Sequence, residues 1–327
     1  MKIKSLLIAL GVGLGVTLNV MAASQDKYTL PDRYLVNEKA YLAEYPQLQK
    51  VMDVMIAETE KQLAKPQNDI LHNRVCTVLV YQMAKDGKLS KDDTYLAVAG
   101  DLLHNITKND KTRVLTDPTI VEGIDAVVKK LRAAGYLKNS PKFWTDTTIF
   151  ANPKLGNNLG QMHHLSGSLF AGQLLEQIGF TPKDVTKLEA SIIEHSTGYW
   201  YFRSAVNKTL GNPEGWALVY PIPENKLADY IHDADLISQF VYESVVPAGS
   251  KWRNLATKRW GAKPTPEDEG YVVYYVFQKL FDEARTPMGK ALAKEEWDKI
   301  APELKKLMNL KPEDDPIKLK GTPEAFK

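Results

Sequence analysis

Six histidines stand in the 327-residue chain, His72, His104, His163, His164, His195 and His232, and none lies in the first 71 or the last 95 residues. Their helical registers carry the chemistry. His72 shares a face with Val75, Cys76 and Leu79 at i+3, i+4 and i+7; His163 lines up with Leu159, Gly167 and Phe170; His195 follows Leu188 and Ile192 on an apolar stripe. His232 and Asp235, at i and i+3 in LADYIHDADLISQF, leave one side of a helix toward a common centre. One histidine on an apolar face reads most simply as a core residue satisfied by a backbone carbonyl. Four separate helices delivering one is another matter: buried imidazoles need partners, and a cation held by several neutral imidazoles and a carboxylate satisfies them together. The adjacent His163 and His164 cannot point the same way in a regular helix, so alignment with Gly167, whose missing side chain admits a neighbouring helix, assigns His163 to the site. His164 is left as a substrate-side or supporting residue.

The elements that must position these side chains are helical. Ser90-Lys-Asp-Asp93 opens a helix to about Leu103, Asp117-Pro118 opens another and Thr181-Pro182 a third. Apolar periodicity recurs near 45–64, 68–85, 157–178, 224–244, 268–284 and 287–308, with no run of alternating strands. Residues 136–158 and 207–224 read as long loops, and 311–327, polar and rich in proline, as a mobile tail. The expectation is one all-α domain, a helical bundle with long loop excursions.

The chain opens MKIKSLLIALGVGLGVTLNVMAASQ, with Lys2 and Lys4 before an apolar run and Ala22 and Ala23 after it. That layout predicts a signal peptide over 1–22, cleaved after Ala22, and a periplasmic or secreted protein that leaves the membrane on cleavage. Removing two lysines from 42 basic side chains brings them level with the 40 acidic ones, so no field draws the mature protein to nucleic acid. Cys76 is the only cysteine, so no disulfide within the chain staples the fold. The oligomeric state is not set by the sequence.

In order and context these pieces resemble the HD-domain superfamily of metal-dependent phosphohydrolases: His72 in LHNRV, His104-Asn105 in LLHNITK, His163 in HHLSG, His195 in IIEHSTGYW and Asp235 in DADLIS. The resemblance spans about 68–245, with 23–67 as an N-terminal helical extension and 246–310 as C-terminal helices packed on that core. It implies inward-facing side chains that hold one or two divalent cations, whose bound water attacks phosphorus. The implied metal ligands are His72, His104 and Asp235, with Asn105 as a weak fourth. His163 and His195 orient water or bind phosphate, and Lys108 meets a substrate phosphate as a point charge, its alternative being a solvated lysine in TKNDK. The family pattern has aspartate at position 105. Asparagine offers only a neutral carbonyl, a poor bridge, which shifts the expectation from two cations to one. Asp101, one turn earlier, either compensates in part or faces solvent, the second being preferred. His232 supports the site. GYWYF at 198–202 is either packing or an aromatic wall for a substrate ring.

Three functions follow: an exported metal-dependent phosphohydrolase of a small phosphorylated substrate, a catalytically degenerate relative that binds a ligand or partner, and a single-metal enzyme of a non-phosphate substrate.

Overall fold

The computed structural model describes residues 27–140 and 147–327. The signal segment 1–22 and its cleavage position lie outside the described residues, as does part of the loop expected over 136–158. The fold is all-α, with no strand among the described residues. The main helices run α1 (Asp32–Glu44), α2 (Leu48–Gln62), α3 (Gln67–Asp86), α4 (Lys91–Leu103), α5 (Pro118–Ala133) and α6 (Leu159–Ile178). They continue as α7 (Pro182–His195), α8 (Trp200–Leu210), α9 (Lys226–Ser238), α10 (Lys251–Trp260), α11 (Pro266–Phe281) and α12 (Pro287–Leu307).

Three of these starts are closed by the residues that signal them. Ser90 accepts from the Asp93 N–H at 3.1 Å, Asp117 from Thr119 at 2.9 Å and Thr181 from Asp184 at 3.2 Å, each satisfying a donor of the first turn. Helices α1, α8 and α10 fall outside the expected stretches; α8 lays Phe202, Val206 and Leu210 on the smaller core, while polar or aromatic partners help to hold α1 and α10. In α10 the Arg253 guanidinium pairs with Glu269 at 2.7 Å, and Trp252 stacks on Trp260 at 5.7 Å. In α1, Glu38 forms a buried two-pronged pair with Arg74 of α3, whose guanidinium also donates to the Tyr28 carbonyl. That pair fixes the N-terminal helices to the helix that carries His72.

Helices α4 and α9 pack on each other and each on both α3 and α7, and α6 lies along α7. Two apolar clusters result. The larger joins α1–α4 to α9–α12; the smaller gathers α5, the first turns of α6 and residues around Val206 and Val219–Tyr220. The close approach of α6 and α7 is not at Gly167, where a Cβ would lie an ordinary 3.4 Å from Thr107 Oγ1. It falls at Gly172, where a Cβ would collide with the Glu189 carboxylate.

The long excursions carry structure of their own. Residues 147–156 hold two short helical turns, and the 207–224 segment begins inside α8 and includes a 3-10 turn at Gly215–Leu218. The segment 311–327 runs along the body: Pro316–Lys320 is helical, Tyr271 donates to the Gly321 carbonyl, and Phe326 sits 4.7 Å from Trp200. No helix among the described residues is long and apolar enough to cross a membrane.

Candidate metal centre

Helix α3 delivers His72 and Cys76 from one face, α4 ends on His104, α7 ends on His195, and α9 delivers Asp235. Because α4 and α9 each pack on both α3 and α7, side chains far apart in sequence meet between them. His72, Cys76, His104 and Asp235 form a group that could hold a metal ion, each offering a donor atom within 4.8 Å of the others. His72 Nε2 lies 3.1 Å from Asp235 Oδ1, and His104 Nε2 lies 4.0 Å from the same oxygen. The His104 ring is 5.1 Å from His195, which in turn is 5.2 Å from His163.

The tautomers follow from the hydrogen bonds. His104 Nδ1 faces the Asp101 carbonyl at 2.5 Å, His163 Nδ1 the Leu159 carbonyl at 3.1 Å, and His195 Nδ1 the Ile192 carbonyl at 2.6 Å. A carbonyl only accepts, so each Nδ1 donates and each Nε2 keeps its lone pair. His72 Nδ1 meets Ser238 Oγ at 3.2 Å; that hydroxyl spends its proton on the Asp235 carbonyl at 2.7 Å, so it accepts from His72. Second-sphere bonds of this kind orient metal-binding imidazoles.

With those tautomers the centre contains acceptors facing acceptors: His72 Nε2 against Asp235 Oδ1, and His163 Nε2 against His195 Nε2 at 3.3 Å. Two acceptors at such distances share a proton or a cation. Burial opposes the proton. It lowers His104 to about 4 and His195 to about 3, pushes His163 well below its ordinary value, and lowers His72 against the Asp235 bond. Burial by itself would raise Asp235, but a proton on His72 Nε2, bonded to the carboxylate, together with the His72, Lys108 and His104 charges would outweigh it and hold the carboxyl well below the usual range, so Asp235 stays ionised whichever of a proton or a cation fills the gap. Neutral imidazoles around an ionised carboxylate are the donor set a cation takes.

No protein-family model, curated protein or solved structure matches the chain. The site's chemistry is therefore read from its own atoms.

Asn105 Nδ2 donates to His104 Nε2 at 2.7 Å and to Asn73 Oδ1 at 3.2 Å, while its buried Oδ1 has no hydrogen-bond partner. It thus occupies the lone pair that a cation at His104 would need, and an acceptor is left unpaired beside the donor group. Asp101 is not on a solvent face. It is fully buried, its Oδ2 accepting from Thr77 at 2.8 Å and its Oδ1 lying 3.5 Å behind His104 Nδ1, because α4 is surrounded by α2, α3, α7 and α9. Burial pushes its carboxyl well above the ordinary value, Thr77 opposing and Asp235 adding to the shift.

His164 and His232 point elsewhere. His164, one residue and about 100° round α6 from His163, enters the smaller core, stacks on Tyr220 at 5.5 Å and donates to the Val219 carbonyl at 3.3 Å. His232 does not share a centre with Asp235: its ring nitrogens meet the His195 and Glu283 carbonyls at 2.9 and 3.2 Å, which leaves neither to coordinate. Asp233 also turns away, capping the start of α12 by accepting from Arg285 and Thr286.

A cavity of about 190 Å³ opens beside the donor group, lined by His163, His195, His232 and Asp235 on its inner side. Tyr199 and Tyr201 from α8 and its cap, and Trp252 and Trp260 from α10, form an aromatic wall, with Tyr199 donating to Asp235 Oδ2 at 3.0 Å. Three cations border it: Lys108, Lys251 and Arg259. Lys251 and Arg259 carry no motif and lie off the Trp252–Ala256–Trp260 stripe of their helix, so the sequence offers no signal for them. Cys76 does carry one, its place four residues after His72 on the same face.

Proposed function

We propose that the protein is an exported, divergent metal-dependent phosphohydrolase of the HD type, acting on a small phosphorylated substrate with one divalent cation. The observation that carries this reading is the meeting of His72 and His104 with Asp235, which itself lines a cavity bordered by Lys108, Lys251 and Arg259. A cation there is worth its cost because a bound divalent ion lowers the pKa of water and offsets charge on phosphoryl oxygens.

The chain's own groups supply the rest. His163 and His195, neutral and committed through Nδ1 to backbone carbonyls, present Nε2 atoms that can only accept. They suit holding a water by accepting its hydrogen bonds, rather than donating to phosphate. Positive charge for the phosphoryl oxygens comes from the lysines and the arginine at the cavity border. Tyr199 and Gln239 both donate to the Asp235 carboxylate, at 3.0 and 3.3 Å, and so fix its direction. The aromatic wall suits a ring or apolar body on the substrate.

A second reading, a ligand-binding relative without turnover, is favoured by Asn105 alone. Metal content of the purified mature protein, measured with a panel of phosphomonoesters and phosphodiesters on wild type, His104→Ala and Asn105→Asp, separates the two. The hydrolase reading expects about one bound metal and a phosphatase or phosphodiesterase activity that His104→Ala abolishes. Stoichiometric metal with no turnover on any ester favours the binding protein. A second metal that appears only in Asn105→Asp assigns the loss of the second cation to the asparagine.

A further inference from the structure

We infer that the Cys76 thiolate is the fourth protein donor to the metal, completing a His72–Cys76–His104–Asp235 set that favours Zn²⁺ over Mg²⁺ or Mn²⁺. The inference rests on the metal-binding part of the reading above and adds the identity of its second anionic ligand; with four protein donors the ion would expand to five-coordinate when water binds from the cavity side, which Asp235 lines.

The spacing admits it. Tetrahedral zinc with nitrogen, oxygen and sulfur ligands places neighbouring donors about 3.3–3.8 Å apart, given bonds of about 2.0–2.3 Å. Here Cys76 Sγ lies 3.8 Å from the His72 ring nitrogens, His72 Nε2 lies 3.1 Å from Asp235 Oδ1, and His104 Nε2 lies 4.0 Å from that oxygen. All four donors fall within 4.8 Å of one another, and closing on a cation requires the Asn105 amide to turn so that Nδ2 releases His104 Nε2 and the unpartnered Oδ1 faces the site in its place. His72 and Cys76 sit at i and i+4 of α3, on one face, so a single helix presents both.

Charge argues the same way. Asn105 is neutral, which leaves Asp235 as the only anionic oxygen in the donor group. A divalent cation held by one carboxylate and two neutral imidazoles keeps a net positive charge in a buried site, at considerable cost. As the Cys76 sulfur bonds to the metal, the thiol proton passes to solvent and the second negative charge stays on sulfur, balancing the cation. Cys76 is fully buried with no disulfide partner, and Asn105 Oδ1 is a buried acceptor without a hydrogen-bond partner, which a cation held by His104 would supply. A soft thiolate with two imidazoles and one carboxylate selects zinc or cobalt, whereas magnesium and manganese prefer oxygen.

Titration of the metal-free full-length mature protein with Co²⁺ reads the bond directly. One equivalent is expected to give a sulfur-to-cobalt charge-transfer band in the near ultraviolet beside tetrahedral ligand-field bands. Cys76→Ser is expected to lose the charge-transfer band and about 100-fold or more of the cobalt affinity. Zinc-edge X-ray absorption of the wild type needs no variant: a sulfur shell at about 2.3 Å inside a nitrogen and oxygen environment supports the assignment. Stoichiometric cobalt or zinc with only nitrogen and oxygen scatterers, and no charge-transfer band, overturns it and leaves the hydrolase reading standing. Failure to bind either metal overturns both.

Discussion

Ser238 shows how much of the centre depends on side chains that touch no cation. Its hydroxyl gives its proton to the Asp235 carbonyl and accepts from His72 Nδ1, so it fixes which His72 nitrogen faces the donor group. Ser238→Ala should therefore lower metal affinity about 10-fold or more, as loss of such partners does, with little change in the unfolding midpoint of the metal-free protein. Isothermal titration with Zn²⁺ alongside thermal melts distinguishes the two effects. His104 sets a pH dependence at the same scale. Its ordinary pKa is 6.5 and burial lowers it to about 4 in the folded chain. Between those values the unfolded chain takes up a proton that the folded one refuses. The metal-free protein should then be equally stable above pH 6.5 as far as this group is concerned, lose on the order of 3 kcal/mol from His104 as pH falls toward 4, and level off below. Urea melts across that range check it; a flat profile between pH 6.5 and 4 would mean that the imidazole is not buried neutral.

At the scale of elements, glycines mark where helices truly touch. A Cβ at Gly289, in the first turn of α12, would collide with the Asp233 carboxylate that caps that helix from α9. Gly289→Ala should lower stability by about 1–3 kcal/mol through overpacking and a displaced cap. Gly167→Ala should be neutral or slightly stabilising, because its nearest neighbours lie 3.4–3.7 Å away and alanine loses less backbone entropy in a helix. Differential melting of the two variants tests the pair; equal losses would mean that α6 and α7 close more tightly at Gly167 than these distances show. The functional weight of α8 and α10 belongs here too. Both are short, yet between them and their caps they supply the aromatic wall and two of the three cations at the cavity.

For the whole molecule, the N-terminal helices and the C-terminal segment brace the bundle from outside. Arg74, two residues from His72, is buried and paired twice with Glu38. Arg74→Ala strands the Glu38 carboxylate without its partner, which should cost about 3–5 kcal/mol and lower the melting temperature. A change within about 0.5 kcal/mol would show that α1 can leave α3 without penalty. At the other end, Phe326 packs on Trp200, Trp260 and Tyr275, so the final residues cover the back of the aromatic wall.

The sequence by itself determined the helical class, because periodic apolar stripes and capping residues such as Ser90, Asp117 and Thr181 are local signals with local causes. It also singled out His72, whose register puts it on an apolar face, while His104 and Asp235 as ligands came from the family resemblance. What only tertiary structure decided was direction across elements. Asp101 is buried because four helices surround α4, His164 and His232 are diverted by carbonyls of Val219, His195 and Glu283, and Lys251 and Arg259 reach the cavity from a helix without a motif. Cys76 becomes a donor only when α3, α4 and α9 pack. A register is a property of one helix, whereas a coordination set is a property of the distances between several.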